Sequence, residues 1–292
     1  MKYFRNHRQP LTNTPLKAHI QRIMTCFFCC SVVMPTLVAQ AQPLRIVPNT
    51  AFSVGEELYY NVGYQFVPAG TGSFVIAPET VRHYGAECLD IRFEVQSLPQ
   101  LDWLYKLRNS YRTLLDVHGM FPWFYEQHNR EGSYKRDARV ELDQRNHRAV
   151  SNAKEFSIEP FTHDIVSAFF FVRTLDLSAL AQQAQREGRK DVIRLKHFVD
   201  DELYELSVRV LGRQIVKVPA GTFKCLIIEP IFSRGGLFNN EGRILIWLSD
   251  DERKIPVKVI TKILIGSVEA ELVGFKGVRG PVAAKINDES VR

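Results

Sequence analysis

Two short constellations hold the residue types that acid–base chemistry needs. His163 is followed by Asp164 at the start of a predicted helix, with Arg173 further along the same segment. A helix N-terminus lowers a histidine pKa and gathers anions, so the pair has the makings of a general base or an anion clamp. The simpler reading of the same residues is a cap and salt-bridge cluster. In the run Tyr125-Glu126-Gln127-His128-Asn129-Arg130-Glu131, Glu126 and Glu131 are the two carboxylates that glycoside-type hydrolysis would require. Beside a strand they also read as a solvated face. A third group is aromatic. Trp103, Tyr105, Phe121, Trp123, Phe124 and Tyr125 crowd into one stretch together with Leu101, Leu104 and Leu107. Core is the default reading of such a cluster, but aromatic faces also stack on sugars and line lipid cavities. The ligand-binding candidates are Trp103, Tyr105, Trp123, Tyr125 and Phe170, around a pocket that the Phe169–Phe171 segment only partly fills.

Other chemistries lack their residues. There is no His-Glu-x-x-His, Gly-x-Ser-x-Gly, phosphate loop or dinucleotide fingerprint, and no cofactor is implied. His83, His118, His128, His147, His163 and His197 are scattered without the i, i+2 or i, i+4 spacing that puts two ligands on one face, so no metal site is expected. Beyond the first 41 residues only Cys88 and Cys225 remain, each inside a predicted strand. As an exported pair they are a possible disulfide worth about 3 to 5 kcal/mol, or else two small buried hydrophobes.

The elements that must position these residues are mostly strands. Leu58, Tyr60, Val62, Tyr64 and Phe66 alternate with Tyr59, Asn61, Gly63 and Gln65, and Leu89, Ile91, Phe93 and Val95 with Asp90, Arg92, Glu94 and Gln96. That is a pleat with one face buried and one in water. Hairpins are predicted at Tyr134–Ser151 around Asp143–Asn146, at Val192–Leu211 around Asp200-Asp201, and at Gln214–Ile228 around Pro219-Ala220-Gly221. Arg243–Leu248, the polar break Ser249–Arg253 and Ile255–Phe275 read as strand, turn and more strand, with Val257, Val259, Thr261, Ile263 and Ile265 on one face. Residues 162–175 break the period. Thr162 is the predicted N-cap, Asp164 lies in the first turn, and Ile165, Ala168, Phe169, Phe170, Phe171 and Val172 make the helix apolar nearly all round, which implies burial. A shorter helix over Leu177–Arg186 is possible.

The first 22 residues carry Lys2, Arg5, Arg8, Lys17 and Arg22 and no acid, and an apolar run from Ile23 to Val38 leads into Ala39-Gln40-Ala41. This is the pattern of an export signal cleaved after Ala41, and the run is shorter than the roughly 20 residues of a stable span. Residues 1–41 are therefore expected to be a signal peptide, 42–275 one mainly β domain and 276–292 a frayed tail. Five of the 38 basic side chains leave with the leader, so 33 face 32 acidic ones and the net charge falls from +6 to +1. No charge argument for nucleic acid survives, and the mature form carries no candidate transmembrane span.

Several local strings resemble one family. These are Phe52-x-x-Gly55-Glu56-x-Leu58-x-Tyr60-x-Val62-x-Tyr64 with Ala69-Gly70; Asp164-x-x-Ser167-Ala168 with Phe171-x-Arg173-Thr174-Leu175; Pro219-Ala220-Gly221-Thr222-Phe223-x-Cys225; and Ile246-Trp247-Leu248-Ser249-x-Asp251 with Ile255-Pro256-Val257 and Ile265-Gly266-Ser267. In this order they are similar to the domain of unknown function family 3108. The resemblance implies an exported bacterial protein, largely β, with no established catalytic residues. The expected fold is a curved antiparallel sheet, sandwich-like or open-barrel-like, around one buried apolar helix. The expected role is non-catalytic binding of an apolar or glycan envelope component or a partner protein in the periplasm; a cell-envelope hydrolase and a structural scaffold are the alternatives.

Overall fold

Most of the described residues fold into strands, as the period-two stretches predict. The computed structural model describes residues 44–65, 67–232, 242–262 and 266–286, all within one compact unit, Ala41–Arg292. The leader, with Cys26, Cys29 and Cys30, lies outside the described residues, as do Phe66, Ile263 and Ile265. Nine strands come first: β1 (Glu57–Tyr64), β2 (Val67–Ile76), β3 (Val81–His83), β4 (Ala86–Ser97), β5 (Arg108–Asp116), β6 (Pro122–Glu131), β7 (Tyr134–Asp143), β8 (Arg148–Ser151) and β9 (Lys154–Ser157). Helices α1 (Ile165–Arg173) and α2 (Leu177–Arg186) follow. Then come β10 (Asp191–Val199), β11 (Glu202–Val218), β12 (Gly221–Phe232), β13 (Arg243–Ser249), β14 (Pro256–Lys262), β15 (Ser267–Lys276) and β16 (Lys285–Ile286).

The strands form one antiparallel sheet in the order β10-β11-β12-β13-β14-β15-β1-β2-β4-β5-β6-β7-β8-β9, with β16 on β12 and β3 on β4. The ladder does not close into a barrel. Its free ends are clasped instead. Residues beyond β9 run beside β10, where the His163 N–H donates to the Lys196 carbonyl at 2.8 Å and the Phe198 N–H to the His163 carbonyl at 2.9 Å. Arg136 of β7 pairs with Asp200 of the β10–β11 turn, and Lys196 with Glu159 at 2.9 Å.

The sheet curls around α1. Val166, Phe170 and Phe171 share a core with Ile76, Ile91, Leu115, Tyr125 and Leu142 from one half of the sheet. Val172 shares a second with Val208, Leu226, Ile228, Ile246 and Leu248 from the other half. Fully burying a side chain such as Phe170 is worth about 1.5–3 kcal/mol. Helix α2 buries only Leu177 and Ala184 and leaves its glutamines outside.

Several details differ from the sequence expectation, each for a local reason. The N-cap of α1 is Asp164, not Thr162: its carboxylate accepts from the Val166 and Ser167 amides, and the Ser167 hydroxyl accepts from the Asp164 N–H, a capping box. The Thr162 hydroxyl donates to the Glu159 carbonyl instead, at 2.7 Å. The second and third hairpins share one 17-residue strand, β11, which absorbs its curvature at a bulge between Val210 and Gly212. Asp90, on the face expected in water, is buried because Arg112 and Arg92 close over it at 2.8 and 3.1 Å. The tail is docked rather than frayed through Ile286: β16 pairs Lys285 with Phe223 and Ile286 with Thr222, and Ala284 is buried. Gly277 makes that turn possible, since at φ +65° a Cβ would lie 1.9 Å from the Gly55 carbonyl oxygen. Residues 287–292 lie outside the described residues.

The possible disulfide does not form. Cys88 and Cys225 are both free and buried. In the sheet order five strands separate β4 from β12. Cys88 packs with Phe121, Trp123 and Phe124, and Cys225 with Phe223 and Trp247.

Candidate ligand-binding cavity

Three aromatic rings from neighbouring strands build one wall of an internal cavity. Register sets Phe74 of β2 opposite Phe93 of β4, and Phe93 opposite Tyr111 of β5. Their side chains therefore stand side by side on the inner face, Phe74 to Phe93 at 4.4 Å and Phe93 to Tyr111 at 5.5 Å between centroids. The opposite wall is aliphatic, from Leu206, Val208, Ile228 and Ile246. Helix α1 closes one side with Ile165, Ala168, Phe169 and Val172. Phe170 turns away to meet Phe52 edge-on at 4.9 Å, which fixes the rotation of the helix and leaves Phe169 stacked on Phe74 at 5.4 Å.

The space between them is about 340 Å³. That lies at the lower end of the range for small-molecule sites, roughly 300–1,000 Å³. Its polar groups are few. The Tyr60 hydroxyl is held by the Pro256 carbonyl at 2.8 Å, and burial raises its pKa well above the usual phenol value. Burial likewise pushes Tyr111 up to about 12. Both phenols stay protonated at neutral pH, so the lining carries no charge of its own.

The five aromatic candidates do not gather here, and none of them lines this cavity. Trp103 and Tyr105 lie in the loop after a 3-10 turn at Pro99–Leu101, 82% and 52% exposed. Trp123 is buried elsewhere, its indole N–H donating to Asp116 at 2.9 Å. Tyr125 and Phe170 belong to the core beneath α1. The residues that do form the wall, Phe74, Phe93 and Tyr111, sit on three strands. Their alternation was readable, but not their adjacency.

The acid–base candidates are dispersed, and those at the helix start are largely engaged, with only His163 Nε2 there lacking a partner among the described residues. Asp164 accepts from two backbone amides and from the Thr113 hydroxyl at 2.8 Å, yet burial outweighs these bonds and lifts its pKa to about 6. His163 Nδ1 lies 3.2 Å from Ser167 Oγ. Burial first, then the Arg45 guanidinium and His197, push its pKa down to about 3, so it is neutral. Arg45 was not singled out from sequence, where nothing marks it. Its guanidinium lies over the Phe161 and Phe171 rings at 4.1 and 4.8 Å. Arg173 is at the far end of α1, paired with Glu56. Glu126 and Glu131, five apart on β6, point to opposite faces; Glu131 accepts from Asn109 at 2.6 Å and Glu126 lies 3.7 Å from His128. Among the described residues no group of three or more His, Cys, Asp or Glu side chains could hold a metal, and no single helix is long and apolar enough to cross a membrane.

A curved, unclosed antiparallel sheet wrapped on a helix, with an apolar space left between them, places this chain among mainly β proteins with an internal cavity. The family described as "Protein of unknown function (DUF3108)" matches residues 59–273, and the chain belongs to that family. A comparison with curated proteins finds no match. Among solved structures, a beta-barrel-like protein of domain of unknown function DUF1849 from Brucella abortus is similar at 12% identity and a TM-score of 0.47, over 80% of this chain and 98% of that one. A hypothetical protein from Chlamydia trachomatis is similar at 11% identity and a TM-score of 0.33, over 80% of this chain and 92% of that one.

Proposed function

We propose that this is an exported, non-catalytic binding protein that takes an apolar ligand of the cell envelope, of acyl-chain type, into the cavity between α1 and the sheet. The observation that carries the reading is the cavity itself. A chain that closes its core elsewhere to near-complete burial leaves about 340 Å³ unfilled beside Phe74, Phe93, Tyr111 and Phe169. An apolar recess of this size that is open to solvent holds water against non-polar walls, and an apolar ligand would displace it. Export rests on the leader pattern of residues 1–41.

A glycan is less well served by this lining, which is aliphatic on one wall and short of free hydrogen-bonding groups. The hydrolase reading has less support still. His163 and Asp164 are engaged in the helix cap, and Glu126 and Glu131 diverge. Mass spectrometry of an organic extract of the natively purified protein tests the proposal. Recovery of a stoichiometric acyl compound is expected. An extract no richer than that of an unrelated protein prepared alongside, together with a failure to take up an added apolar dye, would refute it.

A further inference from the structure

The inner lining changes character across β5 and β6. Tyr111, the last ring of the aromatic wall, stands opposite Gln127. Asn129, two residues on and therefore on the same face, stands opposite Arg136. Directly opposed side chains have Cβ atoms about 4.5–5.5 Å apart, so Gln127 stands beside Tyr111 at the end of the aromatic wall. Gln127 and Asn129 are 1% and 0% exposed. The Gln127 Oε1 accepts from the Tyr125 hydroxyl at 3.0 Å. Its Nε2 has no hydrogen-bond partner among the described residues, while the Asn129 amide is within reach of the Tyr111 hydroxyl. Native chains leave few such groups, because each unmade bond costs about 1–3 kcal/mol.

Gln127 borders a second space of about 210 Å³, lined also by Tyr125, Arg136, Asp137, Asp200 and Asp201. Of its charged lining residues, Arg136 pairs with Asp200, and Asp137 with Arg130 and His128. Asp201 has no partner among the described residues, so the space offers an uncharged amide donor beside a negative charge that disfavours an anionic head.

We infer that Gln127 anchors a head-group subsite, and that the ligand is a single-chain acyl amphiphile with an uncharged, hydroxyl- or ester-bearing head. Its chain lies against Phe74, Phe93 and Tyr111, and its head bonds the Gln127 amide. This rests on the apolar-ligand reading above and narrows it to one ligand class.

Competition at fixed chain length tests it. The purified protein is loaded with N-phenyl-1-naphthylamine, an apolar dye without a head group, and titrated with 1-monomyristoylglycerol or with myristate at pH 8. The monoacylglycerol should displace the dye at a concentration at least tenfold lower than the anionic myristate. Gln127→Leu and Gln127→Met should each remove most of that margin while dye uptake is unchanged. Each also deprives the Tyr125 hydroxyl of its acceptor, so a somewhat lower melting temperature is expected. Myristate competing equally well, or a margin that survives both substitutions, overturns the subsite while the apolar reading stands. Failure of the dye to enter the parent protein overturns both.

Discussion

The Arg173 guanidinium, at the last residue of α1, lies 2.7 Å from the Glu56 carboxylate just ahead of β1, with the two side chains 0% and 1% exposed. A second nitrogen reaches the Arg253 carbonyl at 3.1 Å, and the Phe52 and Phe170 rings flank the guanidinium at 5.0 and 5.1 Å. One buried ion pair thus joins the end of the helix, the entry to β1 and the β13–β14 turn. Removing one partner leaves an uncompensated buried charge. Arg173→Met or Glu56→Gln should each lower stability by about 3–5 kcal/mol in urea unfolding, and the double variant should recover part of that loss. Losses that simply add would mean that the two groups do not act on each other.

Acidification should destabilise the protein through its buried histidines. Burial pushes the folded-state pKa of His163 to about 3 and of His197 to about 4, against 6.5 for an ordinary histidine. Both stay neutral in the folded chain while the unfolded chain takes up protons. Stability is therefore full above pH 6.5 and falls as the pH drops toward 4. Asp164 acts in the opposite sense. Its folded pKa of about 6 exceeds 3.8, so the folded chain holds that proton first between these values. Two histidines outweigh one carboxyl, and the net slope is downward. In acid unfolding followed by fluorescence, His163→Gln should shift the midpoint to lower pH; an unchanged midpoint would contradict the assignment.

The two thiols should behave as inert core groups. Burial pushes Cys88 and Cys225 up to about 12, so little thiolate is available at neutral pH. Thiol reagent added to the native protein lacking residues 1–41 should react slowly, and the denatured protein should titrate two thiols without reductant. A melting temperature that falls on adding reductant would restore the disulfide.

Strand character was readable from sequence because period two records which face of each pleat is wet, as at Leu58–Tyr64 and Leu89–Val95. The apolar helix was readable from its ring of Ile165, Ala168, Phe169, Phe170 and Val172. The site was not, because a sheet brings together residues that sequence spacing cannot relate. Phe74, Phe93, Tyr111 and Gln127 are neighbours only through register, and the ion pair of Glu56 with Arg173 spans two separate strings of the family pattern. Local aromatic density misled for the same reason. Trp103 and Trp123 are close in sequence, but one is exposed in a loop and the other is sealed against Asp116. Charged positions misled at Asp90, where two arginines make burial tolerable.

The most direct test is to fill the cavity from the sheet side. Gly72 lines it, and a Cβ built there meets nothing nearer than the Glu94 carbonyl oxygen at 3.5 Å, so a larger residue fits the strand and sends its side chain into the space. Dye titration of the parent and of Gly72→Phe, with both folds checked by circular dichroism, should give saturable one-to-one uptake by the parent and at least tenfold weaker uptake by the variant. Equal uptake by the two proteins would place the ligand elsewhere and contradict the account.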